Sequence, residues 1–431
     1  WKQLASQITQ MLVGAGILSL PFALKSGGWA ALALIVGSTA VASVTAKLII
    51  HCFNSLNERK LANPELLGRG LVTSYDQLAE EVFGRAGGLA MKGLLFFETY
   101  GVAICFTVLH AVNWPALLHL PPVLLGLPAR VVVVAAVLGC FIPVAFVRPR
   151  YLSVFAIVGV MGIALLFVVL ILVPFIGRGV PIADDDSCPP LGHGPGGGTG
   201  QRALCDMDGM GLATGVVLFC FGGHACLPDL YMTLPKAQRP MWDRAVDVGF
   251  SAAGLFYALA AVLAYAFWGG CVADSLTLNL MFSSPLLGSI STLAILFNTF
   301  CTMALVYVPT TRIANDALGA CAHACGCGAG DDEDDGDSFF LPLRASTVAV
   351  RLVLIALSGV LALSIPNFGF IVGLMGAFTT MLISFVLPAA FYLIVRGRSL
   401  SPLAIAGCVA VVAIGFAGMG VGLQATLAKA A

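Results

Sequence analysis

Charge is scarce in this chain: Asp, Glu, Lys and Arg make up 10% of its 431 residues, and the 22 basic residues cancel the 22 acidic ones. A chain without net charge lacks the electrostatic footprint of a nucleic-acid binder. With 59% hydrophobic residues and a mean hydropathy of +0.97, an ordinary soluble domain is excluded as well. Also missing are a Ser/His/Asp arrangement and a His/Glu cluster of usable spacing, so enzymatic chemistry is not expected. No filter-like loop or ring of charge of the kind a channel uses is present. No cleavable signal peptide is visible, and because the chain starts at Trp1 a cytosolic tail is expected to precede it.

What the chain has instead is apolar length. Windows of about 20 apolar residues recur near 3–24, 29–53, 89–113, 130–147, 151–176, 209–232, 246–270, 286–311, 346–365, 367–395 and 401–423. The expected fold is therefore an all-α polytopic membrane protein of about eleven spans, held in a lipid bilayer and working as a monomer. With a cytosolic N-terminus, seventeen of the 22 Lys and Arg fall on the inner side, as the positive-inside rule requires.

Two of these spans are interrupted in the middle. In the first, Met11-Leu12-Val13-Gly14-Ala15-Gly16-Ile17-Leu18-Ser19-Leu20-Pro21-Phe22 places small residues and then a proline inside a membrane-grade stretch. In the sixth, Phe219-Cys220-Phe221-Gly222-Gly223-His224-Ala225-Cys226-Leu227-Pro228 does the same. Unpaired backbone N–H and C=O groups are costly in hydrocarbon, so a weak helix at that depth must be buried or line a cavity. Either break alone is explained equally well by glycine packing between helices. Two breaks five spans apart are the signature of an inverted-repeat transporter. The expected organisation is one transmembrane domain over 1–431: a first repeat at 3–176, a second at 209–395 and an extra helix at 401–423. A non-cytosolic loop at 177–208 and a cytosolic acidic loop at 312–345 complete it.

The breaks also carry the expected chemistry. N–H donors released at Gly14 to Gly16, where a half-helix begins, suit a carboxylate, and carbonyls freed in the sixth span suit an ammonium group. A zwitterionic amino acid needs both. The substrate-binding set is then Gly14, Ala15, Gly16, Ile17 and Leu18 with Phe221, Gly222, Gly223 and His224. Apolar neighbours favour a neutral side chain, Asp229 and Lys236 lying further towards the cytosolic end of the span.

Glu98 is a lone carboxylate in the middle of the third span, Leu94-Leu95-Phe96-Phe97-Glu98-Thr99-Tyr100-Gly101. An acidic side chain at a helix centre costs about 2.5 to 3.5 kcal/mol on insertion scales, so it should face the protein interior, together with Gly101 and Cys105 on the same helical face. That makes it the leading proton-site candidate, the alternative being a structural hydrogen bond to a neighbouring helix. His224 is the second titratable candidate, the alternative being a hydrogen-bonded filler. His51, His110 and His119 fall at span ends or in a loop and read as interfacial.

Of thirteen cysteines, Cys52, Cys105, Cys140, Cys220, Cys226, Cys301 and Cys408 lie in apolar spans and read as small hydrophobes. Cys188 and Cys205 flank a Gly/Pro-rich stretch on the non-cytosolic side and leave a loop disulfide open. Cys321, His323, Cys325 and Cys327 match no paired zinc spacing and run into Asp331-Asp332-Glu333-Asp334-Asp335. A solvated acidic loop is expected there and no metal. Residues 74–85 read as an amphipathic surface helix with Tyr75, Leu78, Ala79 and Val82 on one face.

The motifs also carry a family likeness. Gly14-Ala15-Gly16-Ile17-Leu18-Ser19-Leu20-Pro21 with Lys25-Ser26-Gly27-Gly28-Trp29 resembles the amino acid/auxin permease family. The sixth-span motif, Ser275-Leu276-Thr277-Leu278-Asn279-Leu280, and Gly373-Leu374-Met375-Gly376-Ala377-Phe378-Thr379-Thr380-Met381-Leu382 look most like its vacuolar amino-acid transporter branch, related to the vesicular inhibitory amino-acid transporter. The resemblance implies an eleven-span fold and secondary active amino-acid transport in a vacuolar or other endomembrane. Sodium-coupled relatives are similar at Thr302 but carry asparagine where this chain has Gln10, so the pair marks a weakened ion site. A proton is the expected coupling ion, sodium the alternative, and no cofactor is expected. Each pH unit supplies about 1.4 kcal/mol, so two units support roughly hundredfold accumulation at one proton per substrate. Symport, antiport and a sensor that binds without flux all remain open.

Overall fold

The computed structural model describes residues 1–63, 65, 68, 70–148, 151, 156–176, 203–232, 234–324 and 345–428, and these are helical almost throughout. Among the described residues, eight helices are long and apolar enough to cross a membrane: Ala31–Ala62, Tyr75–Leu117, Met207–Met232, Ala237–Cys271, Pro285–Gly319, Ala345–Ser364, Phe368–Arg396 and Pro402–Ala428. They occupy the places of the second, third and sixth to eleventh spans. A bent pair, Leu4–Leu12 with Ala15–Gly27, forms the broken first span. Two shorter apolar helices, Ala129–Val144 and Met161–Val173, stand where the fourth and fifth are expected. The chain is an all-α polytopic membrane protein.

Local chemistry fixes several ends. Asp206 caps the sixth span, its Oδ1 accepting from the N–H groups of Asp208 at 3.0 Å and Gly209 at 3.2 Å. The surface helix starting at Tyr75 runs directly into the third span, and the join is a kink at Gly84, whose φ of 74° favours a residue without Cβ. The eighth helix continues to Ala324, so the stretch expected as loop from 312 begins as helix. The tenth span contains an unexpected π-helical stretch, Gly376–Val386.

The chain divides into two compact units. The first comprises Trp1–Leu95, Gln201–Tyr265 and Val372–Ala431 and holds the first, second, sixth, seventh, tenth and eleventh spans. The second, Phe96–Gly200 with Ala266–Ile371, holds most of the third and the fourth, fifth, eighth and ninth. Each unit draws on both expected repeats.

In the first unit, the sixth and tenth spans touch through glycine backbone: a Cβ on Gly376 would lie 1.8 Å from the Gly215 carbonyl oxygen. The surface helix is fastened to the second span by Lys60–Glu81 at 2.6 Å and by Asn57, whose side chain exchanges two hydrogen bonds with the Val72 backbone. Its Tyr75 donates to the Ile383 carbonyl in the π-helical stretch at 2.7 Å, and Tyr75, Leu78 and Ala79 are buried as the amphipathic pattern predicts.

In the second unit, Asp274 accepts from the Phe368 and Gly369 N–H groups that open the tenth span, while Arg130 donates to the Ala362 and Ile365 carbonyls that close the ninth. Each charge has the sign that its helix end favours. Arg351 is buried, donating to Thr311 Oγ1 at 3.1 Å and the Ala145 carbonyl at 2.6 Å, with its guanidinium over Phe146. His110 is buried rather than interfacial: Trp114 donates to its Nδ1, and its Nε2 lies 3.3 Å from Thr299 Oγ1. Cys205 has a free thiol, and the loop disulfide left open at Cys188 falls on a residue outside the described ones. Cys271 is disulfide-bonded, which the sequence pattern did not single out.

Candidate functional site

Both breaks lie in the first unit. The first half-helix, Lys2–Leu12, stops at Val13 (φ −76°, ψ 77°), and Gly14 is extended. A 3-10 turn, Ala15–Ser19, leads into Leu20–Gly27, bent by 45° from the first half. Pro21 sits in the first turn of that second half-helix, where its missing N–H costs nothing. The sixth span is α-helical to Phe219, turns through Cys220 to Gly223, forms a 3-10 turn at His224–Cys226 and resumes at Leu227–Met232.

The breaks pack against each other. A Cβ on Gly16 would lie 3.0 Å from Cys220 Sγ, and one on Gly223 would lie 2.7 Å from Met11 Cε and 3.0 Å from Leu12 Cδ2. Of the nine residues expected at the substrate site, Gly14 and Gly222 are half-buried and the other seven are buried. All nine are gathered in one place.

His224 is fully buried between the Phe250 and Phe385 rings. Its Nε2 lies 3.0 Å from Thr45 Oγ1 and 3.1 Å from the Ala42 carbonyl of the second span, and its Nδ1 lies 3.3 Å from the Phe221 carbonyl. Each ring nitrogen has a carbonyl acceptor in reach, which suits an N–H at either position.

Tyr257, in the seventh span, was not on the expected list. It is fully buried; its hydroxyl donates to the Leu12 carbonyl and lies 2.8 Å from the Cys220 carbonyl, with the ring edge-on to Phe221. The available signal was a single hydroxyl in the apolar run Gly254-Leu255-Phe256-Tyr257-Ala258-Leu259.

Glu98 belongs to the second unit and is buried, as are Gly101 and Cys105. Of the two ion-site residues, Gln10 belongs to the first unit and is exposed. Thr302 belongs to the second, and its hydroxyl donates to the Asn298 carbonyl of its own helix at 2.8 Å. Asp229 is exposed and lies beyond the sixth-span break, as does Lys236. Among the described residues no group of three or more His, Cys, Asp or Glu is placed to hold a metal; Cys325, Cys327 and the acidic run lie outside them.

Spans broken at mid-length and paired across the core define a membrane transporter fold. The fold is similar to that of Mhp1, a nucleobase-cation-symport-1 family transporter, in a closed conformation with bromovinylhydantoin bound. The TM-score is 0.51, and the match covers 99% of this chain and 90% of that one at 12% identity, so it speaks for the fold alone. The sequence model described as transmembrane amino acid transporter protein matches residues 1–428, and the chain belongs to that family. Relatives include amino acid transporter AVT1B of Arabidopsis thaliana, 22% identical over 97% of this chain and 69% of that protein. Amino acid transporter AVT1I of the same plant is 27% identical over 90% of this chain and 84% of that protein. The family and these relatives are described as amino acid transporters.

Proposed function

We propose that the chain moves a neutral amino acid across a vacuolar or other endomembrane, coupled to protons, by alternating access and as a monomer with a cytosolic N-terminus. The observation that supports this most is the packing of the two breaks against each other through Gly16 and Gly223. It brings the start of one half-helix, suited to a carboxylate, beside the carbonyl-rich turn of the other, suited to an ammonium group. The surroundings of the breaks are apolar or uncharged, which favours a neutral side chain. Glu98 and His224 are the proposed proton carriers, because each is a buried titratable group inside a span.

The test is uptake of labelled neutral amino acids into proteoliposomes under a pH gradient, a sodium gradient or neither. Accumulation under the pH gradient alone is the expected result. Accumulation only with sodium would make sodium the coupling ion in place of the proton, and binding without accumulation would make the protein a sensor.

A further inference from the structure

We infer that Tyr257 is a positioning residue that hands its single proton from one broken helix to the other, so that it holds one half-helix at a time. The inference rests on the transport reading above and deepens it.

The argument is a count of donors. A phenol has one O–H. Two carbonyls converge on it: that of Leu12, the last residue of Lys2–Leu12, and that of Cys220, just past the end of Met207–Phe219. Carbonyls at a helix C-terminus have no partner within the helix, and no bulk water reaches a fully buried group at membrane depth. One proton cannot give both a full-strength, linear hydrogen bond at once; shared between them, it serves each only weakly. The Leu12 carbonyl also receives the Gly14 N–H at 2.8 Å, so it keeps a partner when the phenol turns away. Packing of the ring against Phe221, with centroids 5.3 Å apart, keeps it in place while the hydroxyl rotates about its own C–O bond. Switching therefore needs no movement of the seventh span. A half-helix that tilts away gives up its hydrogen bond as the other gains one, which exchanges the two breaks at low cost.

Two replacements separate this role from simple fastening. Tyr257→Phe keeps the ring and removes the donor. Replacing Tyr257 with p-aminophenylalanine supplies two N–H donors, enough for both carbonyls together. In proteoliposomes, normalised to folded protein, the Phe variant is expected to lose roughly fivefold in maximal rate, the scale of one hydrogen bond, with the half-saturation constant little changed. The amine variant is expected to melt at a higher temperature than the parent and still to turn over more slowly. Parental rates in the amine variant would reduce Tyr257 to a fastener, and parental rates in the Phe variant would remove it altogether.

A second readout does not depend on transport: alkylation of the buried Cys220 by a small maleimide, followed by mass spectrometry. The expected order of rates is amine variant slowest, parent intermediate and Phe variant fastest; equal rates would overturn the inference. If the parent moves no amino acid under any gradient, the transport reading fails, and the Cys220 order still tests whether the Tyr257 hydroxyl holds the breaks.

Discussion

Gly376 faces the carbonyl oxygen of Gly215 with no room for a methyl group, since a Cβ there would lie 1.8 Å from that oxygen. The tenth and sixth spans meet backbone to backbone at this point. Gly376→Ala is expected to cost more than the about 1–3 kcal/mol of ordinary overpacking, because the obstructing atom is main chain. Size-exclusion profiles in detergent check it: little monodisperse protein for Gly376→Ala, and parental behaviour for Gly420→Ala, where a Cβ meets nothing within 4 Å.

Gly16→Leu fills the gap between the breaks, where Cys220 Sγ already stands 3.0 Å from the position of a Cβ. Substrate affinity is expected to fall roughly tenfold or more, the equivalent of about 1.4 kcal/mol. Binding of the labelled amino acid measures it. Normal affinity would make the first break a packing feature only.

Glu98→Gln removes the carboxylate from the middle of the third span and keeps the side chain's size. Uptake driven by a pH gradient is expected to lose its pH dependence, while counterflow of amino acid persists. A pH profile like the parent's would take the coupling role from Glu98 and leave it with His224.

The two breaks were legible in the sequence because glycine pairs followed by proline act on the local backbone, whatever packs around them. Glu98 was legible for a similar reason: the cost of a carboxylate in hydrocarbon forces its orientation, and the buried Gly101 and Cys105 share its face. Tyr257 was not legible, because a phenol in an apolar span is unremarkable until the carbonyls of Leu12 and Cys220, far away in sequence, are brought to it. His110 was misread for the same reason, its partner Thr299 lying on the eighth span. The π-helical stretch at Gly376–Val386 and the helix continuing past 312 leave no periodic trace that separates them from ordinary helix and loop.

Arg351 spends its hydrogen bonds on a carbonyl and a hydroxyl, those of Ala145 and Thr311. Arg351→Met is expected to leave the buried Ala145 carbonyl unmatched, while the Thr311 hydroxyl keeps its hydrogen bond to the Tyr307 carbonyl, at a cost on the order of 2 kcal/mol. Thermal melting in detergent should fall accordingly. Arg351→Lys, which cannot reach two partners through a planar fork, should fall between the parent and the Met variant.

Asp274 caps the tenth span from outside it, accepting from Phe368 N–H at 2.8 Å and from Gly369 N–H at 3.3 Å. Asp274→Ala should destabilise the protein by about 1 kcal/mol, and Asp274→Asn by less, since an amide oxygen still accepts. Melting curves of the two variants provide the comparison; equal losses would assign the effect to the charge at the helix end instead of the hydrogen bonds.

The π-helical residues Gly376–Val386 give the tenth span slack. Each i→i+5 turn encloses one residue more than an α turn does, so the surplus can be passed along the helix without adding or removing chain between Phe368 and Arg396. Tightening at one end rotates the side chains there while the glycine contact at Gly376 stays where it is. Phe385, whose ring lies 6.2 Å from that of His224, is carried by that rotation. The wall behind the sixth-span break can therefore be reshaped by winding alone, with no helix sliding along its axis.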